Sequence, residues 1–265
     1  MFDKLLSVQN ISVDYTSNSF LFPWEKNLTF RAVDNVSFDV LEGETLGMVG
    51  ETGSGKSTIA KAIINILKIS SGEIFFQNNQ ISNLNEKKIK KFRKEIQMIF
   101  QDPLASLNPR MNVGEIISEP LKTHNSKLSK NDINLQVKEI MENVGLLSNQ
   151  INRYPHEFSG GQCQRIGIAR SLILKPKLII CDEPVSSLDV SIQAQVINLL
   201  KELQKKYNLT YLFITHDLNI AKHMSDNIMV LQFGKMVEIN KSNEVFNNPK
   251  EDYTKQLISS IPRIK

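Results

Sequence analysis

Nine residues, Gly50 to Thr58, read GETGSGKST and fit the spacing G-x-x-x-x-G-K-[ST], with Gly50, Gly55, Lys56 and Ser57 at the fixed positions. A glycine-rich turn running into a helix start aims several backbone N–H groups at one anion. Glu51, Thr52, Gly53 and Ser54 form the arc of that turn, and Thr58 continues it into the helix. Glycine suits the turn because a Cβ would block phosphate oxygens and forbid part of the required φ/ψ range. Lys56 is placed to reach the β- and γ-phosphates, and the Ser57 hydroxyl to ligate Mg2+. The spacing therefore predicts a nucleoside triphosphate site.

Three more stretches of residues carry chemistry. Leu178-Ile179-Ile180-Cys181-Asp182-Glu183 is an unbroken apolar run ending in two carboxylates. Such a run is a strand buried on both faces of a parallel sheet, and ligands sit at the C-terminal ends of such strands. Asp182 is then the acid oriented to Mg2+, and Glu183 is placed to orient or deprotonate a water aimed at the γ-phosphate. Leu209 to Thr215 forms another buried strand, ending in His216, whose imidazole could donate to the same phosphate. Upstream, Ser159, Gly160 and Gly161 precede a helix carrying Ile166, Ile168, Ala169 and Leu172. They form a second anion-binding helix start. An N-cap accounts for Ser159 but leaves the Gly-Gly-Gln ending at Gln162. Cys163, at the same helix start, is expected to have a lowered thiol pKa.

These residues must be positioned by a larger frame. Thr45 to Val49 reads as a buried strand entering the phosphate loop, and Ile59, Ala60, Ala62, Ile63 and Leu67 as the face of the helix leaving it. Residues 5–15 and 30–40 alternate apolar and polar positions, as half-exposed antiparallel strands do. The loop between them holds Phe20, Phe22 and Trp24, either a cluster covering a sheet edge or a docking surface. A strand near Gly72–Phe76, a basic helix and an apolar run Ile96–Phe100 follow; Pro103 and Pro109 then break the pattern. Residues 112–157 read as helices, with Val113, Ile116, Ile117 and Leu121 on one face and Val137, Ile140, Met141 and Val144 on another. A helix at Val190–Lys206 buries Ile192, Val196, Leu199 and Leu203.

Composition bounds the answer. Apolar residues make up 41% and charged residues 23% of 265, ordinary for a globular chain with a full core. A net charge of +4 gives no argument for nucleic acid, and the run Lys87–Lys94 reads as a solvated helix face. Two cysteines exclude a disulfide framework or an iron–sulfur site. No signal peptide and no apolar run of about 18 residues is present, so the chain is expected to stay in the cytosol without spanning a membrane.

Together these motifs resemble the ATP-binding subunits of ABC transporters, over nearly the whole chain. By that resemblance GETGSGKST is the Walker A loop, and Gln101 is a glutamine that ligates Mg2+ and senses the γ-phosphate. FSGGQ (Phe158–Gln162) is the family signature, with Phe158 in place of leucine. LIICDE is Walker B with its catalytic glutamate, Ser186–Asp189 is the D-loop, and His216 is the switch histidine. Tyr15 stands where the family stacks an aromatic on adenine; Phe20, Phe22 and Trp24 are rivals for that place. FQDPLASLNPRMNVGEIISEPL, RYPHEFSGGQCQR and the tail VFNNPKEDYTKQLISSIP resemble the oligopeptide/dipeptide importer branch, the tail keeping Tyr253 and Thr254 but not the branch's His-Pro.

The resemblance implies an α/β P-loop NTPase (RecA-like) core with an N-terminal antiparallel β-subdomain, about 1–101 and 174–240. A helical subdomain, about 102–173, is inserted, and 241–265 is a C-terminal extension. It also implies ATP and Mg2+ as ligands. Two ATPase subunits, identical or not, would close head to tail, each ATP lying between one Walker A loop and the other subunit's signature helix. Further implied partners are two membrane permease subunits and, through them, an extracytoplasmic substrate-binding protein, with the chain peripheral on the cytoplasmic face of the plasma membrane and no nucleic acid bound. Peptides are the favoured cargo; nickel, glutathione or another small solute could use the same machinery. A GTPase is disfavoured because Asn240-Lys241-Ser242-Asn243 lacks the aspartate that reads guanine. A non-transport ABC ATPase would carry a coiled coil, zinc modules or a second cassette in the chain.

Overall fold

A computed structural model describes residues 3–17, 28–125 and 127–260. The aromatics Phe20, Phe22 and Trp24 lie outside the described residues. The chain divides into two units, Met1–Lys90 with Leu212–Lys265, and Lys91–Tyr211.

The first unit opens with β1 (Lys4–Ser17), β2 (Leu28–Leu41), β3 (Thr45–Val49), α1 (Lys56–Ile63), β4 (Ser71–Phe76), β5 (Asn79–Gln80) and most of α2 (Glu86–Arg93). The alternating segments pair as expected: β1 and β2 run antiparallel from Lys4↔Leu41 to Ser17↔Leu28, and β4 joins the other edge of β1 at Leu6↔Phe76. The four-stranded order is β2-β1-β4-β5. One face is buried through Leu6, Val8, Ile11, Val33, Val36, Ile74 and Phe76, the result of a period of two on half-covered strands. α2 buries Ile89 and leaves Lys87, Lys88, Lys90 and Lys91 exposed.

The second unit contains β6 (Ile96–Ile99), α3 (Val113–His124), α4 (Lys130–Asn143), α5 (Gly160–Leu172), β7 (Leu178–Asp182), α6 (Val190–Tyr207) and the start of β8 (Thr210–Thr215). β6 and β7 pair in parallel, Ile96 opposite Leu178. Every residue of β7 and β8 is buried, as unbroken apolar runs require. The starts of α3 and α4 are set by side chains. Asn112 and Glu115 form a capping box on α3, and Ser129 caps α4 through the N–H of Asp132. α6 ends where Asn208 takes the left-handed conformation, φ 51° and ψ 48°.

Returning to the first unit, the chain forms α7 (Leu218–Met224), β9 (Asn227–Gln232), β10 (Lys235–Lys241), α8 (Ser242–Asn247) and α9 (Asp252–Ser259). β9 lies parallel to β3, with Gly47 opposite Ile228, and antiparallel to β10. Among the described residues no helix is long and apolar enough to cross a membrane.

Candidate active site

In the first unit β3 delivers the chain into the phosphate loop, and Gly55 is the N-cap of α1 with no side chain capping it. The loop's shape depends on close backbone approach. At Gly50 an added Cβ would lie 2.2 Å from the Leu231 carbonyl oxygen, and at Gly55 (φ 104°) 2.7 Å from that of Ala32. Only glycine fits where another backbone passes so closely. Lys56 is buried, and its ammonium donates to the carbonyls of Gly50 (2.8 Å) and Glu51 (2.7 Å) and to Ser54 Oγ (3.3 Å). Ser54 and Gly55 are likewise buried, while Glu51, Thr52 and Gly53 are exposed and Ser57 and Thr58 half-buried. The lysine charge thus sits against the loop whose exposed arc faces outward.

Tyr15, 41% exposed, brings its hydroxyl to 3.4 Å from Thr58 Oγ1, so its ring stands at the first turn of α1. His216 is exposed at the end of β8, one residue ahead of Asp217, which caps α7 by accepting from the N–H groups of Asn219 and Ile220.

In the second unit Asp182 closes β7 and is buried. Glu183 follows in the left-handed region at φ 47°. Its carbonyl accepts from the N–H (3.3 Å) and hydroxyl (3.2 Å) of Ser186. A non-glycine residue held there carries strain, and such strain concentrates at functional sites. Gln101 Nε2 donates to Glu183 Oε2 at 2.9 Å, joining residues 82 positions apart. Asp189 is the exposed N-cap of α6 but makes no side-chain cap.

α5 corrects two readings of the sequence. The Gly-Gly-Gln stretch is explained in part by local structure: Ser159 Oγ accepts from the N–H of Gln162 (3.3 Å) and Gln162 Oε1 from that of Ser159 (3.0 Å), a capping box. A Cβ on Gly161 would lie 2.5 Å from Ile192 Cγ2, so α6 demands that glycine. Gly160 is different: a Cβ there would meet only Leu188 Cδ2, at an ordinary 3.6 Å. Cys163 is not an activated thiol. It is fully buried, its Sγ lies 3.4 Å from the Pro155 carbonyl, and burial raises its pKa. Position at a helix start did not expose it, because its side chain turns inward.

The profile of the ABC transporter family matches residues 33–186, more than half of the chain. The chain belongs to the ABC transporter family. The oligopeptide transport ATP-binding protein OppF of Salmonella typhimurium is 56% identical over 90% of this chain and 72% of its own length. AppF of Bacillus subtilis, also an oligopeptide transport ATP-binding protein, is 51% identical over 98% of this chain and 79% of its own. The dipeptide transport ATP-binding protein DppF of Lactococcus lactis reaches 48% over 98% and 81%. Among solved structures, the dimeric ATP-binding cassette MJ0796 in a post-hydrolysis state bound to ADP and Pi superposes with a TM-score of 0.79 at 28% identity, covering 89% of this chain and 98% of that one. The protein is an ABC-type ATPase with the P-loop NTPase fold.

Two supports of this ABC cassette's phosphate loop escaped the sequence reading. The β9–β10 turn, Phe233-Gly234, has both residues at positive φ (47° and 76°). There the Gly234 N–H donates to the Ser54 carbonyl at 3.0 Å and the Gly234 carbonyl accepts from Asp34 at 2.8 Å. The glycine signalled a hairpin, but nothing in the sequence said what it would touch. The other is Tyr253, whose hydroxyl accepts from the Glu51 N–H at 3.4 Å.

Proposed function

We propose that this chain is the ATP-hydrolysing subunit of an ABC importer of oligopeptides or dipeptides, working in pairs on membrane permease subunits. The names of its relatives support the peptide cargo. The observation that carries the hydrolytic reading is the Gln101–Glu183 hydrogen bond, which fixes the candidate water-activating carboxylate beside a strand-end aspartate.

In this reading the loop N–H groups and Lys56 hold the β- and γ-phosphates, and Tyr15 stacks on adenine. The Ser57 hydroxyl, the Asp182 carboxylate and the Gln101 amide oxygen are each hard oxygen donors, and that chemistry suits Mg2+. Bound there, Mg2+ would neutralise phosphate charge. Gln101 Nε2 holds Glu183, leaving the amide oxygen as the end that can turn to a cation. Glu183 takes the proton of the attacking water, and His216 donates to the γ-phosphate. The Ser159 helix start, with Gly160, Gly161 and Gln162, meets the triphosphate held by a second subunit, and Asp189 lies along that interface. Gly160 supports this: among the described residues no neighbour forbids a Cβ, so an approaching phosphate is a reason for the glycine. Loss of the γ-phosphate removes the shared anion and reopens the pair. Gln101 and the helices around it pass that motion to a permease on the cytoplasmic face of the membrane, which an external binding protein supplies with cargo.

Glu183→Gln tests it. The variant should bind ATP with ordinary affinity and hydrolyse it at least about a hundredfold more slowly; turnover near that of the unaltered chain refutes the assignment. Copurified permease and binding protein, and the peptide that the latter carries, test the cargo.

A further inference from the structure

α9 carries two residues to which the nucleotide site gives no task, Tyr253 and Thr254. Thr254 is fully buried beside Glu238 of β10, a carboxylate only 7% exposed. Glu238 accepts from the N–H groups of Lys250 (3.1 Å) and Glu251 (3.3 Å), the two residues before α9. Burial pushes this carboxyl up, but the nearby polar groups, the two N–H groups among them, outweigh it, and the group lies below its ordinary value. The start of α9 is thereby pinned to β10 by charge-assisted bonds. Along the helix, Tyr253, Leu257 and Ile258 pack on a cluster that includes Val49, the residue immediately before the phosphate loop.

This docking sets the Tyr253 hydroxyl against the Glu51 N–H. That N–H belongs to the Gly50–Glu51 peptide, whose carbonyl accepts from Lys56. The peptide is planar and trans, so its N–H and C=O point in opposite directions. Holding one end aims the other.

We infer that Tyr253 is a positioning residue for Lys56: the C-terminal helix orients the Gly50–Glu51 peptide and so sets the affinity of the loop for the triphosphate. The inference rests on the reading of this loop as the ATP cradle. Tyr253→Phe keeps the ring and removes only the acceptor. In fluorescence titration of the full chain with N-methylanthraniloyl-ATP and Mg2+, it should weaken binding about threefold to tenfold, the range one hydrogen bond spans. KM for ATP should rise alike, with kcat and melting temperature unchanged. Leu257→Ala, which loosens α9, should lower the melting temperature and weaken binding through the misplaced hydroxyl, so that in the Tyr253→Phe background it weakens binding no further. Unchanged affinity in Tyr253→Phe, or a further loss of affinity when Leu257→Ala is added to it, overturns the positioning role. Lys56→Ala separates the two readings: if it still binds with full affinity, the cradle itself is misassigned, whatever Tyr253 does.

Discussion

Gly160 and Gly161 are adjacent, identical in type and part of one five-residue signature, yet their surroundings differ. Gly161 has Ile192 Cγ2 where its Cβ would go, whereas Gly160 has room. Gly161→Ala should therefore destabilise the chain by about 1–3 kcal/mol through overpacking, read as a lower melting temperature. Gly160→Ala should leave melting unchanged and still reduce ATP hydrolysis if, as proposed, a second subunit's phosphates approach this glycine. A melting temperature that falls equally in both would put the cause of both glycines inside the fold. Glu183 shows a related point. Its side-chain chemistry could be named from the end of an apolar run, but its left-handed backbone and its bond to Gln101 could not. The backbone conformation belongs to the turn after β7, where Ser186 folds back onto the Glu183 carbonyl.

α5 is more than the carrier of a signature. Ser171 Oγ donates to the Met98 carbonyl of β6 (3.1 Å) and Arg170 to the Ser106 carbonyl (2.7 Å), so the helix grips the chain on both sides of Gln101. α9 depends on a titratable anchor. The Glu238 value is depressed in the folded chain, below the ordinary 4.5. Its contribution is therefore complete above the unfolded value and lost as pH falls through the folded one. Amide exchange of α9 should accelerate below about pH 4.5 relative to β3. Glu238→Gln should remove that pH dependence and make α9 exchange faster at neutral pH. A pH-independent α9 in the unaltered chain would show that packing alone holds the helix.

For the molecule as a whole, the reading requires two copies, or two related chains, per pair of nucleotides. Ser159→Arg places a long cation at the helix start that this reading sets against a partner's phosphates. Monomer affinity for ATP should stay within about twofold, since the Walker A loop is untouched. In the Glu183→Gln background, ATP-induced dimers seen by light scattering should be lost on adding Ser159→Arg. Dimers that persist would mean that this turn lies away from the interface.

Motifs that work through local backbone geometry were legible in the chain. A loop of fixed length before a helix, unbroken apolar runs ending in acids, and alternating strands each specify their own shape, because period and spacing are properties of neighbouring residues. The thiol of Cys163, the hairpin buttress at Gly234 and the reach of Tyr253 to Glu51 were not legible. Each depends on a partner far along the chain or on which way a side chain turns once its helix is packed, as with Tyr253, which lies 202 residues from the peptide it holds. Spacing names a group's chemistry; burial and distant contacts settle whether that chemistry is free to act.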